Sequence, residues 1–541
     1  MKNTLKKVLA VFISLTMMIS CFAASGCYGL EFLEDYEYIS DSDVMSEMED
    51  EYTDDEDEYT DDEEEYADDE EEYADDEEEE EEVPEDEEVP ELPDGKFRKH
   101  YTKIKGGGKD EVTVMVYMCG SNLESDSGFA TSDIKEMLKA DYSDKVNILI
   151  ETGGARKWHA SSITDDGSNI STKKNQVWQV MENDITLIDE TDKREPMTDP
   201  DTLLDFIDFC TEEYPANRYM LILWDHGDGA VGGFGYDEHY ESGTLTIDGI
   251  QQALKKSGVK FDFVGYDACL MGMMEVAYMM YDYVDYFIAS EDYEPAAGWE
   301  YENWLQALSD NTSISTEKLG KIIVDDYVKE CGRSDGILSV CDLVYAKYVY
   351  AIWCEFAYAN EETLLTTDYA WETEASNRLD VKNRYDWTDL FFYSEESHII
   401  DMLAVARTIE SEQSEPLLAG LKTMIVYSNA TSSTEYSASY MTGLAVALPY
   451  GDSELYSEIK EIFPKCGFDD EYVEFLGKFV DSESAPNNDE IWEGWDDIWN
   501  GWDSWDDFLN YEWGEWGSLS DYLGEDWGAL GDYLDEWGLY F

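Results

Sequence analysis

Short apolar runs recur between residues 112 and 289, and segments with helical spacing separate them. Continuous apolar runs that alternate with helices predict parallel strands covered on both faces. The strands are predicted at 112–117, 147–151, 218–224, 261–266 and 286–289. Helices are clearest at 132–139 and 200–214, where Asp199 is predicted to cap a helix that starts with Pro200. Further strand-like runs at 424–427 and 444–448 extend the prediction to one α/β domain over residues 112–480.

The two ends of the chain have a very different composition. Residues 31–94 contain 39 acidic side chains and residues 481–541 contain 18, and neither segment has a Lys or Arg. Like charges at this density prevent collapse, so residues 28–95 are predicted to be a disordered acidic spacer. Tryptophans recur every three or four residues in the acidic tail at 481–541. That tail is either an amphipathic segment packed on its own domain or a surface that contacts cell wall, glycan or a partner.

The formal net charge of the whole chain is −92. A field of this sign repels nucleic acid and attracts basic peptides and divalent cations, so nucleic acid is excluded as a partner. Calcium bound by carboxylates stays open, although no ordered ligand spacing supports it. After the acidic segment the charge reverses in a short Gly-containing linker at 96–111, which is predicted to be a flexible hinge.

The N-terminus has the pattern of an export signal. Three lysines in the first seven residues precede an apolar run at 8–19, which is shorter than a typical transmembrane helix. Cys21 and Cys27 each follow small residues, as in the cleavage box of a bacterial lipoprotein. Residues 1–27 are therefore predicted to be a signal peptide of lipoprotein type, which would place the protein on the outer face of the bacterial membrane. Plain secretion is the alternative.

Candidate chemistry lies at the ends of two predicted strands. His226 and Gly227 follow the strand at 218–224, and Cys269 follows the strand at 261–266. Ligands of an open parallel sheet bind outside the carboxyl ends of its strands, so an imidazole and a thiol are expected at the same rim. Such a pair can form a thiolate and later protonate a leaving amine. Cys119 occupies a similar strand end but lacks a coupled histidine, so it is expected to be a buried thiol.

The remaining cysteines give no sign of a disulfide framework or a zinc site, because no CxxC pair or His-rich cluster appears. Apolar surroundings predict buried free thiols at Cys119, Cys210, Cys331, Cys341 and Cys354.

Four segments resemble the clostripain-like cysteine peptidases: VMVYMCGSNLES, LILWDHG, FDFVGYDACLMGMMEVAY and ASEDYEPAAGWEY. The resemblance covers residues 112–304 well and weakens afterwards. It implies a caspase-like three-layer α/β/α domain with a mainly parallel sheet, as in caspases, legumain and gingipains. It also implies that His226 is the general base and acid, that Cys269 is the nucleophile, and that the backbone amides of Gly227 and Cys269 form the oxyanion hole.

The same resemblance implies cleavage after Arg or Lys, with Asp267 shaping an acidic specificity pocket and Glu291 and Asp292 as weaker candidates. A carboxylate facing a guanidinium gives a charge-assisted contact, so the preference is physically reasonable. No cofactor is needed for this chemistry. The sequence departs from relatives that cut themselves between the His and the Cys, because residues 228–254 contain no Lys or Arg.

The predicted function is therefore an exported, surface-tethered endopeptidase that acts on proteins or peptides at Arg or Lys. The alternative is a catalytically silent or self-processing surface protein that works through its acidic repeat and Trp-rich tail. A further hypothesis is that cleavage within the basic linker releases the catalytic domain from its tether.

Overall fold

The computed structural model describes residues 97–159, 169–181, 183–240, 243–332, 336–365, 399–409, 411–431 and 443–480. The predicted signal peptide, acidic spacer and Trp-rich tail lie outside these residues. Within the described ranges, none of the helices combines the length and apolar character that a membrane span needs.

A mixed sheet organises the domain. Its described strands are β1 (Val112–Cys119), β2 (Val146–Gly153), β3 (Gln176–Met181), β4 (Asp184–Glu190), β5 (Arg218–Trp224), β6 (Phe261–Asp267), β7 (Val284–Ala289), β8 (Ile337–Asp342) and β10 (Ile425–Ala430). Their spatial order is β10-β8-β7-β6-β5-β1-β2-β3-β4. Strands β2, β1, β5, β6 and β7 are parallel, and antiparallel strands extend both edges. The five predicted strands are thus confirmed as the parallel centre.

Helices cover both faces of this sheet. They are α1 (Ser121–Ser127), α2 (Phe129–Met137), α3 (Pro200–Glu213), α4 (Gly229–Gly232), α5 (Ile247–Ser257), α6 (Met274–Met280), α7 (Glu302–Asp310), α8 (Thr316–Cys331), α9 (Ala346–Ala359), α10 (Glu361–Leu364), α11 (Met402–Thr408), α12 (Ser414–Met424), α13 (Ser453–Cys466) and α14 (Asp470–Leu476), with short 3-10 turns at Leu343–Tyr345 and Gly477–Phe479. Asp199 caps α3 by accepting a hydrogen bond from the Asp201 amide, as predicted.

Alternate residues of β1 pack in two separate hydrophobic cores, one on each face of the sheet. This explains why the apolar run of β1 is continuous. Met115 and Tyr117 pack with α3 and α5 on one face. Val114 and Val116 pack with α2, α7 and α8 on the other. Both sides of the strand are therefore removed from water, as expected for the centre of a three-layer α/β/α domain.

One strand prediction needs a correction. The run at 444–448 does form a strand, β11 (Ala445–Ala447), but it does not extend the main sheet. It pairs antiparallel with β9 (Ile399–Asp401) in a small separate sheet. The Ala445 amide donates to the Gly272 carbonyl at 2.9 Å, so this strand is held on the segment just after Cys269.

The sequence pattern also missed β3, β4, β8 and β9. Strands β3 and β4 form an edge hairpin in which β4 has only one buried residue, so its polar positions hide the apolar signal.

The linker predicted as a flexible hinge is docked in this structure. Arg98 donates to Asp285 at 2.7 Å, and the amides of Tyr101 and Thr102 donate to the same carboxylate at 2.9 and 2.8 Å. Asp285 is the second residue of β7, so this strap (residues 97–110) binds the end of the sheet at which β7 begins. The side chains of Lys103, Lys105 and Lys109 remain exposed.

Candidate active site

The pairing of two parallel strands brings the candidate histidine and cysteine to one rim. Trp224 of β5 is paired with Asp267 of β6. The Asp225 amide donates to the Asp267 carbonyl at 3.3 Å, which continues the register by one residue. His226 and Cys269 each come two residues after this pair, so they occupy equivalent positions beyond adjacent strand ends.

Gly227 is required by the close approach of these two segments. A Cβ atom at this position would lie 2.1 Å from the Cys269 carbonyl oxygen. Any side chain would therefore push the two loops apart. On the other side, the Gly235 amide donates to the His226 carbonyl and the Asp228 amide donates to the Gly233 carbonyl, both at 2.9 Å. These contacts fix the backbone on both sides of the Gly227 amide.

The thiol of Cys269 is partly covered by a neighbouring loop. The Glu294 amide lies 3.2 Å from Sγ, and the Glu294 carbonyl lies 3.7 Å away. Burial raises the pKa of Cys269 to about 12, and the Glu294 carboxyl adds to this. The free thiol is thus protonated at neutral pH and needs a base before it can attack a carbonyl.

The backbone just after Cys269 is strained. Leu270 has a φ of +62°, in the left-handed region that a branched side chain rarely adopts. Its amide donates to the Asp292 carbonyl at 2.9 Å, which helps to hold this conformation. Strained residues of this kind persist only where surrounding contacts impose them, and they concentrate at functional sites.

His226 has a partner that the sequence analysis did not single out. Its Nε2 lies 2.8 Å from Oδ1 of Asn122, in the first turn of α1. Burial lowers the pKa of His226, so the imidazole is neutral at pH 7 and able to accept a proton. The available signal was the position of Asn122 just beyond β1, because β1 is the neighbour of β5 in the sheet.

Asp267 is buried at the end of β6. Its carboxylate accepts hydrogen bonds from the Tyr301 hydroxyl at 2.8 Å and from the Trp299 amide at 3.2 Å. Burial raises its pKa to about 7. A Cβ atom at Gly298 would lie 2.6 Å from Oδ1, so the loop packs tightly against this acid.

Glu294 lies beside Asp267 and was also missed by the sequence analysis. Burial raises the pKa of Glu294 well above its usual range, and the Asp267 charge raises it further. Both of its side-chain oxygens are buried without a well-formed hydrogen bond to an N–H or hydroxyl donor. The Ala268 amide and the Trp299 indole are close enough to favour the ionised form, but neither has the geometry of a full bond. Glu294 is therefore the member of this acidic pair that keeps its proton to higher pH.

Glu291 and Asp292 make other contacts. Glu291 is fully buried, and its Oε1 accepts a hydrogen bond from the Gly443 amide at 2.6 Å. Burial and the nearby Asp401 carboxyl raise its pKa well above its usual range. Asp292 is half-buried, and its carbonyl binds the Leu270 amide. Glu291 thus supports the segment before β11, and a pocket role for these two acids stays a prediction.

The other cysteines and histidines differ from this pair. Cys119 is fully buried, its Sγ donates to the Tyr236 carbonyl at 3.4 Å, and burial raises its pKa well above the usual range. The other four thiols predicted to be buried are confirmed as buried and free. His100, His159 and His239 each bond a carboxylate or a backbone carbonyl away from the thiol. Within the described ranges, no group of three or more His, Cys, Asp or Glu is arranged to hold a metal ion.

The site thus combines a histidine with a partly buried cysteine at the ends of adjacent parallel strands in a three-layer α/β/α domain. This arrangement is typical of a cysteine hydrolase. The model of the clostripain family, Peptidase C11, matches residues 116–457. The chain therefore belongs to the clostripain family and is a cysteine endopeptidase that acts on proteins or peptides.

The chain is also similar to individual proteins. The chain is 26% identical over 417 residues to the clostripain of Hathewaya histolytica, an alignment that covers 65% of this chain and 77% of that protein. A secreted C11 cysteine protease from Bacteroides thetaiotaomicron, called iotapain, superposes with a TM-score of 0.50 at 17% identity, over 66% of this chain and 99% of that chain. An inactive zymogen C11 protease from Parabacteroides distasonis gives a TM-score of 0.48 at 19% identity, over 69% and 99% of the two chains. The iotapain match supports the predicted fold.

Proposed function

We propose that this enzyme cleaves peptide bonds after Arg or Lys, with Cys269 as nucleophile and His226 as general base and acid. The observation that carries the proposal is the register of β5 and β6. Trp224 is paired with Asp267, and His226 and Cys269 each come two residues after one member of this pair. Among the described histidines, His226 is the one that follows a strand paired with the strand before Cys269.

The two groups start the reaction in their neutral forms. The Cys269 pKa is raised and the His226 pKa is lowered, so no stable ion pair forms before substrate binds. His226 takes the thiol proton as Sγ attacks the scissile carbonyl carbon. It then gives that proton to the leaving amine, which leaves an acyl-enzyme thioester. Water hydrolyses the thioester with His226 again acting as base, and the thiol is restored.

The developing oxyanion is assigned to the backbone amides of Gly227 and Cys269. The two segments approach closely at Gly227, so both amides belong to one small region. Amides fixed in advance stabilise negative charge without reorganisation during the reaction, and one such donor typically contributes roughly 3–4 kcal/mol.

Specificity for a basic side chain is assigned to Asp267, with Glu294 as its neutral partner. Asp267 lies two residues before the nucleophile, and the Glu294 amide contacts the thiol itself. An ionised Asp267 beside a protonated Glu294 carries about one negative charge, which matches one guanidinium or ammonium group. In this proposal the loop that carries Glu294 opens from Sγ when substrate binds.

The chemistry is proposed to need no cofactor, with any calcium acting on structure or activation. We also propose that the enzyme is exported and held at the membrane by a lipid on Cys21 or Cys27. The N-terminal sequence supports this, and one family member of known structure is described as secreted. The Trp-rich tail remains a candidate for cell-wall or glycan contact.

The test uses protein that lacks residues 1–27, together with its Cys269→Ala variant. Peptide amides ending in Arg, Lys, Asp or Leu are offered with and without calcium and reductant. We expect cleavage of the Arg and Lys amides alone, and loss of cleavage in the variant. Turnover of the Leu or Asp amides would overturn the acidic pocket. A complete lack of turnover would favour a latent zymogen or a protein that works by binding.

A further inference from the structure

Asn122 and His226 form one rung of a two-rung contact between the loop after β1 and the loop after β5. Asn122 Oδ1 lies 2.8 Å from His226 Nε2. One residue earlier in each loop, the Ser121 hydroxyl lies against the Asp225 carboxyl and favours its ionised form, although Oδ1 of Asp225 has no well-formed hydrogen bond. Neighbouring residues of the two loops therefore face each other in register.

The loop that carries Asn122 is held firmly. The Gly120 amide donates to the Gly153 carbonyl at 2.9 Å, and the Glu124 amide donates back to the Gly120 carbonyl at 2.8 Å. Ser121 has a φ of +46°, an unfavourable conformation for a residue with a side chain. Strain at the residue next to the contact, held by surrounding bonds, indicates that the position of Asn122 is imposed by the fold.

The histidine loop is fixed from its own side. Oδ2 of Asp225 accepts a hydrogen bond from the Tyr236 amide at 2.5 Å, and the Gly235 amide binds the His226 carbonyl. The imidazole therefore has a fixed backbone and one side-chain partner at Nε2.

The chemistry of the contact selects one tautomer. An amide oxygen only accepts hydrogen bonds, so Nε2 must carry the proton and Nδ1 must hold the lone pair. We infer that Asn122 is a positioning residue of this peptidase, which holds His226 in the tautomer whose Nδ1 is free to take the Cys269 proton. This inference rests on the proposed role of His226 as general base. It adds a neutral third member, contributed by the segment that follows β1, a strand that precedes neither of the two reacting groups.

A neutral partner suits this site better than an acid would. A carboxylate at position 122 would stabilise the imidazolium and raise the pKa of His226. The asparagine fixes the ring and leaves its base form available at neutral pH. The replacements Asn122→Ala and Asn122→Asp therefore have different, separable effects.

The kinetic test compares Asn122→Ala, Asn122→Asp and Asn303→Ala on the Arg amide. Asn303 is a matched control, because it is also an exposed asparagine in the first turn of a helix. We expect Asn122→Ala to lower kcat about ten-fold with little change in KM, the size of one lost hydrogen bond. We expect Asn122→Asp to recover activity at high pH and to shift the acid limb of kcat upwards by about one pH unit. Asn303→Ala should match the wild type.

A second measurement does not depend on activity. The chain has five histidines, so nitrogen-15 NMR of labelled protein can assign His226 by comparison with His226→Gln. We expect the Nε2–H tautomer in the wild type and a mixture of tautomers in Asn122→Ala. A mixture in the wild type, or unchanged kcat in Asn122→Ala, would overturn the inference. Full activity in His226→Ala would instead overturn the proposed function, whatever the NMR result.

Discussion

Trp224 and Asp267 are paired across the two parallel strands that end at the site. His226 and Cys269 each come two residues after this pair, so they lie at equivalent positions beyond the two strands. Chain geometry alone thus places an imidazole and a thiol at one rim before any contact between them is considered. The same register holds Gly227 against the Cys269 carbonyl, which accounts for a glycine at that position.

Reactivity should separate two cysteines that occupy similar strand ends. Cys269 is half-buried, whereas Cys119 is fully buried with a bonded thiol. We expect iodoacetamide to label Cys269 in the native protein and to abolish activity, with no label at Cys119. Peptide mapping by mass spectrometry makes the measurement. Cys119→Ala should keep wild-type activity. If this variant loses activity while its stability is unchanged, Cys119 and not Cys269 would be the nucleophile.

The acidic pair should respond unequally to removal of each carboxyl. Asp267→Asn removes the charge that is proposed to face the basic side chain of the substrate, so kcat/KM for the Arg amide should fall about 10- to 100-fold. Glu294→Gln keeps a neutral donor beside Asp267 and should cost about three-fold or less. Steady-state kinetics on both variants tests this. The reverse ranking would mean that Glu294 carries the charge.

The dependence of kcat/KM on pH should reflect two groups with different signs of shift. Burial raises the pKa of Asp267 to about 7, so binding of a basic substrate should weaken as the pH falls through about 7. Burial lowers the pKa of His226, so loss of the base should occur below pH 6.5. In Asp267→Asn the acid limb should therefore move to lower pH. An unmoved limb would assign it to His226 alone.

A buried ion pair at the opposite end of the sheet should dominate one stability measurement. Arg218 and Asp262 are both buried, with Nη2 and Oδ2 2.6 Å apart. The same guanidinium donates to the carbonyls of Thr312 and Ile314 at 2.8 Å. Arg218→Ala leaves a buried carboxylate without its partner, so the free energy of unfolding should fall by roughly 3–5 kcal/mol.

The control for this prediction is Lys256→Ala. It removes an exposed ion pair with Asp201 and should change stability by about 0.5 kcal/mol or less. Urea denaturation measures both. Equal effects from the two variants would contradict a special role for the buried pair.

The docked strap determines where self-cleavage is expected. The Arg98 side chain is 12% exposed and bound to Asp285, so it is not available to a specificity pocket. Exposed Lys103, Lys105 and Lys109 should be cut instead, which would release the spacer and leave Arg98 on the released piece. N-terminal sequencing after incubation of wild type beside Cys269→Ala tests this. If the wild type stays uncut, the release hypothesis is contradicted. A cut after Arg98 would show that the strap dissociates from the domain.

The sequence alone predicted the parts of this protein that depend on local pattern. The parallel strands were visible because burial on both faces makes their apolar runs continuous, as in β5 and β6. The candidate pair was visible because a parallel sheet collects the carboxyl ends of its strands at one rim. Residue types and spacing around His226 and Cys269 then gave the family resemblance, and the family match over residues 116–457 agrees with it.

Only the tertiary structure could decide which distant residues meet. Asn122 and His226 are 104 residues apart in the sequence, and the local sequence around neither residue predicts their contact. The same is true of Glu294 beside Asp267 and of the strap on Asp285. The strand at 445–447 was assigned to the wrong sheet for a related reason. Local periodicity reports whether a residue is buried, but its partner is chosen by packing and hydrogen bonding across the whole domain.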